Sequence, residues 1–283
     1  MKTYSVENKS FALTVKQTGA ELNSLKSNTT GREFIWQGDP DVWSGQSPIL
    51  FPIVGRLLND KYRLNGKEYT MTKHGVVRKK PFELIESTED SLTFLKKDDE
   101  DSFKMYPYHF ELYVKYELTE KGLKVTHTVV NTNDDVMYFS FGAHPGFNCN
   151  MGDTVEFGTP QTLSTERIDV TRDVLTDETY PLLNNEQAIT VTEDIFKNDA
   201  IILSGYTDNA VTINTSGCKI RFAVTSPLLG MWAKPGAPYV CIEPWWGIDD
   251  DAHEKADFSQ KRGVMSLDAG SSRDFVWEVE ISE

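Results

Sequence analysis

The chain has 283 residues, with 29 Lys and Arg against 43 Asp and Glu, a formal net charge of −14. That balance argues against a nucleic-acid partner, whose phosphates demand clustered cations, and against an anionic membrane surface. Hydrophobic residues at 39 % and charged residues at 25 % match an ordinary globular protein, which argues against wholesale disorder.

Period-two alternation runs through the chain. Tyr62-Arg63-Leu64 and Lys67-Glu68-Tyr69-Thr70 flank Asn65-Gly66, a pair that tolerates the positive φ angles of a type I′ hairpin turn. A second hairpin is predicted over 82–95, and the acidic run Lys97–Asp101 reads as a solvated hairpin loop. From Phe110 to Leu118 every even position is apolar. After a turn at Glu120-Lys121-Gly122 the pattern resumes at Leu123, Val125 and Val129. A fourth hairpin is predicted over 210–225, turning at Ser216-Gly217. Phe275, Trp277, Val279 and Ile281 mark a closing amphipathic strand. Helical pattern is scarce: 193–196 suits a turn or two, and 251–262, opened by Asp251, suits a short helix. Many strands separated by turns predict an all-β sandwich, with residues 1–283 as a single domain.

Cys149, Cys218 and Cys241 stand far apart with no C-x-x-C pair, so neither a disulfide framework nor a metal site is expected. Residues 1–10 lack the apolar run of a secretory leader. The apolar stretch 48–58 is too short for a bilayer and contains Arg56. A cytoplasmic location is the expectation.

Four stretches break the alternation. Phe51-Pro-Ile-Val-Gly-Arg56 ends in a guanidinium fork, useful for a ligand or for an ordinary ion pair. Lys73-His74-Gly75 places an imidazole beside a residue that permits close backbone approach. Phe139-Ser-Phe-Gly-Ala-His144-Pro145-Gly-Phe ends an apolar strand in a His that Pro145 holds extended. Tyr239-Val-Cys-Ile-Glu243-Pro244-Trp245-Trp246 does the same with a carboxylate, whose pKa burial against tryptophans would raise. Groups of different intrinsic pKa, one a His and one a Glu, suit simultaneous proton donation and removal on a polar, uncharged substrate. His127 falls in the buried phase of its hairpin and reads as core, whereas His109 and His253 read as surface. Asp249-Asp250-Asp251 lacks the spacing of a calcium loop.

Together these stretches resemble the aldose 1-epimerase, or galactose mutarotase, family, and within it the LacX-like branch. The carrying motifs are FPIVGR with Arg56, KHG with His74, GAHPGF with His144 and CIEPWWG with Glu243. The resemblance implies a β-supersandwich of mostly antiparallel strands with a few short helices. It implies interconversion of the α and β anomers of an aldose without cofactor or metal. Glu243 matches the general base that takes the anomeric hydroxyl proton, and His144 the general acid that protonates the ring oxygen. Arg56, His74 and Asp199 match sugar-binding positions. Trp246 and Lys234 are placed in the cleft by proximity to the motifs. A monomer and a homodimer fit equally well. A non-catalytic sugar-binding module on this fold is an alternative, while a glycosidase is disfavoured because only one strong carboxylate stands beside the His.

The charge is uneven. Residues 56–80 hold eight basic residues and two acidic ones, a local net charge of +6 within a chain of −14. This island carries Arg56, His74 and Arg78, and it keeps a sugar phosphate beside a free aldose as the expected small-molecule partner.

Overall fold

A computed structural model describes residues 2–283. Its dominant feature is a 15-stranded sheet whose neighbours pair antiparallel. One half of its path runs from Ile49–Leu50 through Phe141–Ala143, Tyr239–Trp246, Leu228–Trp232 and Ile201–Ser204 to Thr154–Asp169. The other half continues through Ala210–Thr215, Cys218–Ala223, Ser272–Ser282, Gly122–Asn131, Phe110–Leu118 and Ser91–Lys97 to Glu83–Ser87. The sheet folds back on itself, because rings from the two halves meet in the core. Phe141 stacks on Phe275 at 4.5 Å between centroids, Phe51 meets Phe110 at 4.9 Å, and Phe147 meets Phe222 at 6.0 Å. This is the all-β sandwich that the alternation predicts, since a strand with one apolar face must bury it against another sheet face.

The hairpin expectations hold in detail. Lys61–Leu64 pairs with Lys67–Thr70, and Asn65 and Gly66 both take positive φ. Glu83–Ser87 pairs with Ser91–Lys97, Phe110–Leu118 with Gly122–Asn131, and Ala210–Thr215 with Cys218–Ala223. The closing strand Ser272–Ser282 is gripped on both sides, by Gly122–Asn131 and Cys218–Ala223.

Two expectations about helices fail. The run Lys97–Asp101 is not a loop throughout: Glu100–Met105 is a short α-helix. Asp99 and Ser102 form a reciprocal capping box, and Glu100 and Asp101 in the first turn suit the positive helix end. Residues 251–262 hold only a single 3-10 turn, Phe258–Gln260. Here the chain is committed elsewhere: Asp250 is drawn into a buried pair with Lys261 at 2.5 Å, and its carbonyl bonds Leu175 N–H. Residues 193–198 form turns without a helix. Among the described residues no helix is long and apolar enough to cross a membrane.

His127 is core, as its phase predicts, packed on Phe141 at 4.9 Å and 1 % exposed. Its Nδ1 has no hydrogen-bond partner among the described residues, and burial lowers the imidazole to about 3. Between that value and the ordinary 6.5 the unfolded chain binds the extra proton, so this group removes stability as pH falls through the window. Unfolding by urea at successive pH values should therefore show a shallower acid loss in His127→Leu than in the parent, by up to about 1.4 kcal/mol per pH unit. Parallel pH dependences for the two proteins would contradict a neutral buried His127.

Candidate active site

Strand register builds the site. Gly142 pairs with Trp245 and Gly146 pairs with Cys241, so the intervening His144 lies across from Glu243. Two backbone bonds lock this crossing: His144 N–H donates to Pro48 O at 3.1 Å, and Ile242 N–H donates to Pro145 O at 3.1 Å. His144 Nδ1 and Glu243 Oε1 consequently face each other at 3.4 Å. Both residues are more than nine-tenths buried, and among the described residues neither of these two atoms has a hydrogen-bond partner. The other carboxylate oxygen of Glu243 accepts from Trp245 Nε1 at 3.1 Å.

The pair forms part of a cleft of ≈ 190 Å³, lined also by Trp43, Lys73, His74, Arg78, Asp199, Trp232, Trp245 and Asp249. At about 30 Å³ per water this is room for about six waters, the scale of one monosaccharide. Four roomier depressions, of ≈ 400, ≈ 470, ≈ 250 and ≈ 430 Å³, bring no His and carboxylate together. Trp43 stacks on His144 at 5.1 Å, while Trp232 and His74 meet it edge-on at 5.6 and 5.9 Å. These rings pack around the imidazole and hold its plane.

Burial dominates the proton chemistry. It pushes the Glu243 carboxyl well above the usual range, against the smaller pulls of the Trp245 hydrogen bond and the Lys73 charge. It drives His144 down to about 3, and the Lys73 and Arg78 charges act in the same direction. Burial also raises Asp249 to about 7, although Lys73 and the Arg56 N–H hold it back. A dry site thus favours one proton on Glu243 and none on His144. Moving that proton to His144 makes an ion pair of the same net charge.

His74 is held by the backbone. Its N–H donates to Gly55 O at 2.8 Å, and its Nδ1 accepts from Gly55 N–H at 3.2 Å. An accepting Nδ1 leaves Nε2 to carry the proton of the neutral ring, making it a donor. The expectation for Gly75 needs correcting. Its open α-carbon admits no ligand; it admits the chain at Phe51-Pro52, since an added Cβ would sit 2.1 Å from Phe51 O.

The remaining site residues divide. Asp199 lines the cleft, at positive φ, with its Oδ1 accepting from Ala200 N–H at 2.7 Å. Arg56 is outside the lining residues. Its guanidinium bonds Asp60 at 2.9 Å and Asp173 at 3.0 Å, and its N–H donates to Asp249 at 2.7 Å, so it positions Asp249 and leaves no free fork for a sugar. Trp246 is also outside: it packs on Phe275 at 5.0 Å and Phe141 at 6.2 Å. Side chains alternate across a strand, so 241, 243 and 245 share one face and 246 takes the other. Of the adjacent pair, Trp245 is the tryptophan that lines the cleft, and that parity is readable in the sequence. Lys234 is exposed beyond the strand Leu228–Trp232 and lines no part of the cleft. The sequence does not single out Trp43, Trp232 or Asp249: Trp43 sits in an irregular segment without periodicity, and Asp249 stands in an acidic run whose spacing fits no calcium loop.

The expectation that no metal-type cluster exists also needs revision. His144, Cys241 and Glu243 bring donor atoms within 4.8 Å of one another. The grouping comes from strand parity, which no C-x-x-C or H-x-x-H spacing announces. Burial pushes the Cys241 thiol well above its ordinary range, so on its own it stays protonated.

Comparison with known proteins settles the kinship. The aldose 1-epimerase family matches residues 2–255. The chain belongs to the aldose 1-epimerase family. It is 32 % identical to the chromosomal LacX protein of Lactococcus lactis subsp. lactis, over 94 % of this chain and 96 % of that one. Among solved structures of this galactose mutarotase-like fold it resembles a galactose mutarotase related enzyme from Lactobacillus acidophilus. That match has 34 % identity and a TM-score of 0.94, covering 100 % of this chain and 98 % of the other. A galactose mutarotase-like protein from Lactobacillus casei ATCC 334 also superposes with a TM-score of 0.94, at 27 % identity, covering 99 % of this chain and 100 % of the other.

Proposed function

We propose that the protein is an aldose mutarotase, an isomerase that exchanges α and β anomers of a hexose by ring opening and closure. The observation that carries this reading is the facing pair His144 Nδ1 and Glu243 Oε1, 3.4 Å apart, buried and otherwise unpartnered, in a cleft of monosaccharide size. Glu243 as carboxylate takes the proton from the anomeric hydroxyl while His144 as imidazolium gives one to the ring oxygen. The ring opens to the aldehyde, the C1–C2 bond rotates, and closure on the other face reverses both transfers. Opening leaves Glu243 protonated and His144 neutral, which is the uncharged state that burial favours. The reactive ion pair is reached from the resting site by moving the proton from Glu243 to His144, and opening returns the pair to the uncharged state.

Mutarotation already proceeds in water, so two positioned proton transfers, worth about 10²–10⁴-fold each, are sufficient chemistry and require no cofactor. The indole walls offer faces for sugar C–H groups, and the His74 Nε2 proton and the Asp199 carboxylate suit hydroxyl contacts. Optical rotation or exchange NMR of freshly dissolved α-anomers tests the proposal. A rate above buffer for at least one aldose is expected. No acceleration across a panel of free and phosphorylated aldoses would sink it.

A further inference from the structure

Four of the eight basic residues at 56–80 are ion-paired. Arg56 pairs with Asp60 and Asp173, Lys61 with Glu68, Lys73 with Asp173 and Lys80 with Asp101. Among the described residues Arg63, Lys67, Arg78 and Lys79 form no ion pair, and of these four Arg78 is the one that lines the cleft. It is half-buried and lines the cleft beside His74 and His144, yet among the described residues its guanidinium has no ion pair and no hydrogen bond. The acid whose field reaches it, Glu21, is already engaged: it pairs with Lys16 at 3.2 Å and accepts from the N–H groups of Gln46 and Ser47 at 2.7 and 3.1 Å. Of the cleft's own carboxylates, Asp249 accepts from Arg56 N–H, Asp199 accepts from Ala200 N–H, and Glu243 faces His144. Burial holds the Arg78 guanidinium below its usual range, the mark of a cation short of a counter-charge.

A partly desolvated Arg is costly unless something pairs with it, and its planar fork matches two oxygens of a carboxylate or phosphate. We propose that Arg78 receives an anionic substituent of the sugar, carried at a carbon remote from the anomeric centre, so that the substrate is an anionic aldose. This rests on the mutarotase reading and names its substrate class. Phosphate monoester and carboxylate share the recognising chemistry. Such an anion would also relieve the repulsion that Arg78 exerts on a protonated His144, making the acid easier to charge when substrate is bound.

The test compares anomerisation of glucose, glucose 6-phosphate and glucuronate by the full-length protein and by Arg78→Gln and Arg78→Lys. The expected wild-type preference is for an anionic sugar, and which of the two is faster separates phosphate from carboxylate. Arg78→Gln should lower the ratio of anionic to neutral kcat/KM by about 10- to 100-fold, mostly through KM. Arg78→Lys, which keeps charge but loses the fork, should restore part of that ratio. Circular dichroism checks that the variants are folded. Equal wild-type rates on neutral and anionic sugars, or an equal loss on both in Arg78→Gln, would overturn the proposal while leaving mutarotation intact. If no sugar is anomerised, calorimetric binding decides. Glucose 6-phosphate or glucuronate bound by the parent and lost in Arg78→Gln would uphold the anion site while the mutarotase reading falls; no preference over glucose would end both.

Discussion

Glu243→Gln is expected to lower kcat by about 10²–10⁴-fold with little change in KM, read by exchange NMR on whichever aldose turns over. The substitution is nearly isosteric, and a Gln side-chain carbonyl still accepts the Trp245 Nε1 hydrogen bond that the carboxylate accepts at 3.1 Å. The fold and the cleft walls should therefore persist, and only the proton acceptor is lost. His144→Gln should cost a similar factor. The double variant should be barely worse than either single one, because the two groups pass protons in the same step and half a circuit is of little use. Full activity in Glu243→Gln would refute the assignment. Sugar binding that survives in both variants, from a parent that shows no turnover, would instead favour a non-catalytic sugar-binding module.

Gly75→Ala should be the most damaging single methyl group near the site. The residue sits at φ +79°, where an L side chain costs about 1–2 kcal/mol. The new Cβ would lie 2.1 Å from Phe51 O and 2.8 Å from Pro52 N, which are backbone atoms that cannot rotate away. Adding overpacking to the handedness term gives a loss of about 2–5 kcal/mol in urea unfolding. Gly66→Ala supplies the control. It has nearly the same φ, +77°, but nothing lies within 4 Å of its added Cβ, so only the handedness term should appear. Equal destabilisation of the two variants would mean that the Phe51 contact carries no weight. Because Val76 N–H donates to Phe51 O and His74 is clamped by Gly55, the folded fraction of Gly75→Ala should also lose turnover.

What could be read from the chain follows from the range of the forces involved. Alternation over 110–118 and 123–129 is a local signal with a local cause, one face buried and one wet, and it returned as paired strands with the expected register. The helix at Glu100–Met105 was missed because its capping box was hidden in what looked like a run of solvated charges. The segment 251–262 misled in the opposite direction: its local propensity was overridden by the buried Asp250–Lys261 pair, which depends on tertiary burial.

The candidate site divides in the same way. His144 and Glu243 stand out in the sequence because each lies at a proline beside an apolar run. That they become cross-strand partners 3.4 Å apart depends on the pairing of Gly142 with Trp245 and of Gly146 with Cys241. The net charge of −14 and the +6 window are properties of composition, and both are fixed before folding. Which cation of that window remains available to a ligand is not. Arg56 matched a sugar-binding motif, yet the fold surrounds it with Asp60 and Asp173. Arg78 belongs to no carrying motif, yet the fold leaves it in the cleft without an ion pair among the described residues. Periodicity determined the fold class and the motifs singled out the candidate acid and base, because those signals act over a few residues. Only the tertiary structure decided which tryptophan, which arginine and which aspartate reach the cleft, because charge pairing and strand parity are settled between segments as distant as residues 56 and 173.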